Sequence, residues 1–212
     1  MRILKDPETR KNEILDAAAE LFAEKGFDGT STNNILEKAG IARGTLYYHF
    51  KSKEDIMDAL IERMNAQILS AADEIASDKS IPVMERLLRA VLALNVGEES
   101  AGVLEYAHKP QNALMHQKIQ RVMITGIPPI LTKIIQDGIT EGFLQTPYPY
   151  ECMEMIFCYV NTLFDGDLIS LSEIERRQKI VALSFNIERL FGMQEGSFTN
   201  GMAMFREESE NE

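Results

Sequence analysis

The stretch AGIARGTLYYHFKSKEDI, from Ala39 to Ile56, decides how this chain is read. Gly40 is free to take the left-handed conformation that stops a helix sharply. The spacing therefore predicts one short helix, Thr32 to Ala39, and another starting almost at once, over about Arg43 to Phe50. Ile35, Ala39, Ile41, Leu46 and Phe50 fall where a small three-helix core needs apolar groups. The outer face of the later helix keeps Arg43, Gly44, Thr45, Tyr47, Tyr48 and His49, which are donors, aromatics and a glycine with no acid among them. Two short helices about a tight turn, carrying such a face, make a helix-turn-helix unit suited to a phosphate-lined groove.

Outward from this stretch, every periodic segment has helical spacing and none alternates like a strand, so the expected fold class is all-α with about nine or ten helices. Asp6 before Pro7 is a cap followed by an N1 proline, and Ile14, Leu15, Ala18, Leu21 and Phe22 recur at helical spacing until Lys25 and Gly26. Ser31 caps the short helix. Ser52-Lys53-Glu54-Asp55 opens a long one to about Ser77, some 25 residues or roughly 37 Å. Further helices are expected after Pro82, near Ala101 to His108, from Gln111 to Glu141, over Cys152 to Phe164, and from the capping box Ser172-x-x-Glu175 to about Phe191. The pair Pro128-Pro129 is expected to break or kink its segment, since neither ring donates a helical bond.

With 212 residues, 45% hydrophobic and 26% charged, the chain is too apolar to be disordered and long enough for a sizeable core. No apolar run reaches membrane-spanning length, and the first eleven residues carry no hydrophobic stretch, so neither a span nor a secretory signal is expected. Two cysteines, Cys152 and Cys158, are too few for a disulfide framework or a four-ligand zinc site, and a cytoplasmic location is the default. The net charge of -11 argues against nucleic acid until its distribution is considered. Residues 1–55 hold 9 Lys and Arg against 10 Asp and Glu, leaving 13 against 23 for residues 56–212. The window Lys38 to Lys53 contains Lys38, Arg43, Lys51 and Lys53 and no acid at all.

The run from Ala39 to Ile56 resembles the signature of the TetR-type transcriptional repressors, sharply over about residues 9–60. The resemblance implies a helix-turn-helix DNA-binding domain at 1–52 and a ligand-binding and dimerisation domain at 53–192; the tail over 193–212, ending in Glu207, Glu208, Glu210 and Glu212, is expected from its composition to be flexible. It implies a homodimer joined through the last two long helices and acting on a palindromic operator. Residue by residue, it implies that Thr32 and Lys53 hold phosphates. Tyr47 and Tyr48 touch backbone or bases, His49 touches backbone, and Arg43, Gly44 and Thr45 enter the major groove. Arg43 is the candidate reader of a guanine, whose two acceptors match its fork. Ala42 departs from the pattern, standing where a Ser or Thr commonly caps the recognition helix.

In the body, no His-x-x-x-His or Cys-x-x-Cys spacing appears, and His108 and His116 are eight apart across Pro110. No catalytic residues, metal or cofactor are expected, and an enzyme is not. A small-molecule effector, mainly apolar, is expected around Val91, Met123, Phe157 and Phe164, with Asn161 as a polar group in the same run. Ile180, Leu183, Ile187, Leu190 and Phe191 form an apolar stripe expected at the dimer interface. The contrasting possibility is a helical small-molecule-binding protein or enzyme whose head no longer binds DNA, and the acid-free window speaks against it.

Overall fold

The computed structural model describes residues 6–94, 106–109, 112–163 and 169–200, apart from the side chains of Leu114 and Met115. Its extended elements are all helices, as expected: α1 (Pro7–Lys25), α2 (Thr32–Ala39), α3 (Arg43–His49), α4 (Lys53–Ser77), α5 (Val83–Ala93), α6 (Ala113–Thr140), α7 (Pro149–Leu163) and α8 (Glu173–Leu190). The chain packs as two compact units, one drawn from residues 1–67 and 96–119, the other from 68–95 and 120–212. Helices α4 and α6 each contribute residues to both.

Local chemistry sets the helix ends. The Asp6 carboxylate accepts the Thr9 N–H at 3.2 Å, and Ser31 and Asn34 form a reciprocal capping box. Gly40 ends α2 in the left-handed region, at φ 63° and ψ 37°, its N–H donating back to the Glu37 carbonyl. Ser172 and Glu175 form the second capping box, at the start of α8.

In the first unit α1 buries Ile14, Leu15, Ala18, Leu21 and Phe22, α2 buries Ile35, and Leu46 and Phe50 bring α3 onto the same core. Ala39 and Ile41 are half-buried. Residues 106–109 belong to this unit too: the Tyr106 ring lies 3.9 Å from that of Phe27, and Lys109 pairs with Asp28 at 2.8 Å.

The second unit is built around α6, which buries Ile127, Leu131, Ile134 and Ile135. Contrary to the expected break, α6 runs unbroken through Pro128 and Pro129. The two rings deprive the Ile124 and Thr125 carbonyls of their helical donors, while the Thr132 hydroxyl doubles the bonding at the Pro128 carbonyl, 2.7 Å away. Burial of the residues on either side holds the helix together across the gap. Gly126 allows close packing, because a Cβ there would stand 2.7 Å from the Leu69 side chain. Arg86, the largest fully buried side chain, reaches the Ala76 carbonyl at 3.0 Å and the Asp137 carboxylate at 2.8 Å. Cys152 and Cys158 are unpaired thiols, buried and half-buried.

Candidate nucleic-acid interface and apolar cavity

Helix α3 buries Leu46 and turns the opposite face outward. Arg43 and Gly44 are exposed, Tyr48 is 77% exposed, Tyr47 is exposed as well, and Thr45 and His49 are half-buried. Arg43 makes no ion pair among the described residues, and its guanidinium lies 5.8 Å from the centre of the Tyr47 ring. That contact holds the fork near the exposed face of the helix. Tyr48 meets His49 edge to face at 4.9 Å. A Cβ at Gly44 would touch nothing within 4 Å, so the chain's own packing does not require glycine there. Ala42 provides no side-chain cap to α3, as the sequence indicates.

The basic window is less basic than its composition suggests. Lys38 pairs with Glu20 at 2.6 Å and approaches Glu24 at 3.5 Å, and the Glu20 hydrogen bond holds the ammonium above the usual lysine pKa. Lys53, expected at a phosphate, instead donates to the Phe27 carbonyl at 2.6 Å and the Thr30 carbonyl at 2.8 Å, with its ammonium 4.0 Å from the Phe27 ring centre. Two of its three donors are thus engaged inside the unit and the ammonium rests near an aromatic ring, tying the α1–α2 turn to the start of α4. Lys53→Ala should therefore lower thermal stability, by about 1–3 kcal/mol for two carbonyls left without a charged donor, a loss read in a melting curve. Unchanged melting would return Lys53 to the outer surface. Thr32 opens α2 half-buried, and Arg43 and the exposed Lys51 are the cations nearest the α3 face in sequence that carry no ion pair among the described residues.

The second unit holds a cavity of about 240 Å³ whose walls come from α5 (Leu87, Leu88, Val91), α7 (Ile156, Phe157, Val160) and α8 (Ile180, Leu183), with further apolar groups from Leu131, Ile187, Phe191 and Phe198. Among the described residues Ser184 supplies the one hydroxyl, and no charged side chain lines the cavity. Of the expected ligand residues, Val91 and Phe157 line this cavity. Met123 and Asn161 stand elsewhere on α6 and α7, and Phe164 lies outside the described residues. The sequence missed Phe198, which sits in the segment read as tail.

The interface stripe on α8 also divides. Ile187 and Phe191 are buried inside the subunit, at 8% and 2% exposure, so they are core residues and not contact residues. Ile180 is exposed and Leu183 and Leu190 are half-buried. The face that meets solvent carries Ile174, Val181 and Phe185, beside Met155 and Tyr159 of α7. The signal was present in the sequence: α8 has apolar residues on two faces, and only one can serve the core. His108 and His116 meet edge to face at 4.7 Å. No group of three or more metal-ligating side chains occurs among the described residues, and none of their helices is long and apolar enough to cross a membrane.

The family description of bacterial regulatory proteins of the tetR family matches residues 14–60, and that of the tetracyclin repressor-like C-terminal domain matches residues 98–185. The HTH-type transcriptional repressor KstR2 of Mycobacterium tuberculosis is 35% identical over 148 residues, 68% of this chain and 74% of the relative. The fatty acid metabolism regulator protein of Bacillus subtilis is 29% identical over 143 residues, 66% of this chain and 73% of the relative. SmeT, repressor of a multidrug efflux pump of Stenotrophomonas maltophilia, shares the fold, with a TM-score of 0.57 at 22% identity over 88% of this chain and 91% of its own. SmeT has also been solved in complex with triclosan.

Proposed function

This chain belongs to the tetR family of bacterial regulatory proteins, and we propose that it represses transcription as a homodimer on a palindromic operator, released by a compact, uncharged, mainly apolar molecule. The observation that carries the DNA reading is the outward face of α3, where Arg43, Gly44, Tyr47 and Tyr48 stand exposed without an acid between them. Arg43 reads a base and the two tyrosines touch the backbone beside it. The test is binding to a duplex selected by the protein from random sequence. Arg43→Ala should cost about 1–3 kcal/mol per contact on that duplex and relax preference at one symmetric base-pair position. Equal losses on selected and random DNA would assign Arg43 to a phosphate.

The cavity of the second unit supports the ligand reading. At about 240 Å³ it falls below the roughly 300–1,000 Å³ of pockets for drug-sized molecules, and its single hydroxyl offers nothing to offset a buried charge. A neutral ligand of small size fits that chemistry. Operator half-sites one turn apart require recognition helices about 34 Å apart in the dimer. A ligand that favours another spacing releases the DNA through a coupling of about 1–3 kcal/mol. A ligand bound equally well by free and DNA-bound protein would shift nothing and would refute this mechanism. The solvent-facing apolar residues of α7 and α8 support the homodimer.

A further inference from the structure

Glu188 of α8 is 4% exposed, and no Lys or Arg pairs with it among the described residues. Its carboxylate is met by backbone donors from beyond the helix: the Gly196 N–H at 2.9 Å on Oε2, and the N–H groups of Phe198 at 3.0 Å and Thr199 at 3.4 Å on Oε1. These bonds, that of Gly196 foremost, hold the carboxyl below the usual glutamate range, so it is ionised at neutral pH. A buried carboxylate is costly unless it is fully hydrogen-bonded, and three amides supply that bonding. The segment so held carries Phe198 into the wall of the apolar cavity. Phe198 stands on a short helical turn, residues 197–200, whose first amides are met by the Glu188 side chain.

We propose that Phe198, held in place by Glu188, sets the longest ligand that the cavity accepts. This rests on the cavity being the effector site, and it makes Glu188 a positioning residue for a ligand it does not touch. A phenyl ring in the wall of a small apolar cavity limits size by exclusion, while the remaining walls reward each added methylene. Glu188→Gln keeps the shape of the side chain but replaces one acceptor oxygen by an NH₂ donor, which faces a backbone N–H and repels it.

The test is titration calorimetry of the full chain with 1-hexanol, 1-octanol and 1-decanol. In the unaltered protein, affinity should rise about fourfold per methylene and then stop rising once the alcohol outgrows the cavity. Phe198→Ala and Glu188→Gln should each let the rise continue, increasing the ratio of decanol to hexanol affinity by about tenfold or more, and Phe198→Met should restore the limit. Phe198→Ala, at a half-buried position near the end of the described chain, serves alone should Glu188→Gln fail to fold. An equal loss for all three alcohols, with the limit unmoved, would overturn the role of Phe198 and leave the ligand site standing. No binding of any alcohol to any of these proteins would remove the ligand site and this proposal together.

Discussion

Phe185→Glu is expected to leave the protein folded but monomeric, and to lower its affinity for the selected operator duplex by about 10²–10⁴-fold as the second head is lost. Phe185 is 48% exposed, and Val181 and Ile174, both 70% exposed, continue its face along α8 at intervals of four and seven residues. Met155 and Tyr159 extend the apolar surface on α7. A monomer seldom leaves so many large apolar side chains together in water. In a two-fold interface each residue is used twice, so one substitution places two carboxylates in the contact, where desolvation is not offset. Sedimentation at micromolar concentration reads the first effect and DNA titration the second. A dimer that survives both Phe185→Glu and Val181→Glu would move the interface elsewhere. Ile187→Glu should act differently, unfolding the second unit, because Ile187 is part of its core.

Asp137→Ala is expected to destabilise the second unit by about 3 kcal/mol, near the low end of the cost of orphaning a buried charge. The Arg86 side chain is 2% exposed and its Nε already has no hydrogen-bond partner. Without Asp137 the guanidinium keeps, among the described residues, the Ala76 carbonyl alone. Arg86→Met should cost far less, since it removes the charge and fills the space, while Asp137 retains Lys79 at 3.0 Å. Urea unfolding at one protein concentration compares the two, and equal costs would show that the pair contributes by packing alone. The hydrogen bond from Arg86, with a second from Lys79, holds the Asp137 carboxyl below its ordinary range. A carboxyl whose folded pKa is lowered stabilises fully above its unfolded pKa, and that stabilisation is lost as pH falls toward the folded value. The difference between Asp137→Ala and the unaltered protein should therefore shrink in acid.

The features legible in the sequence are those decided within a few residues. Asp6 before Pro7, Ser31, the turn at Gly40 and the box from Ser172 to Glu175 each cap or stop a helix through a neighbour three or four positions away, and each stands where it was expected. The α3 face follows from one short helix with one buried side. What stayed hidden depends on partners far along the chain. The ammonium of Lys53 goes to carbonyls 23 and 26 residues back. Pro128 and Pro129 carry a local penalty that the burial of Ile127, Leu131 and Ile134 overrides. Composition shows an acidic ending, whereas Glu188 folds the first part of it against α8. The apolar residues of α8 are visible as such, but the choice of which face turns inward is made by α5, α6 and α7.

Phe27 and Asp28 receive Tyr106 and Lys109, and the ion pair spans 81 positions. On a ribosome adding about 5–20 residues per second, the α1–α2 turn is made roughly 4–16 s before its partners exist. During that interval one side of the Phe27 ring lacks its tyrosine, and Asp28 faces water. The order of synthesis is thus not the order of completion: the first unit is begun first, yet it cannot be finished until α5 has been made. A nascent or prematurely ended chain has the recognition helix without this docking, which gives the cell a head that is written early and assembled late.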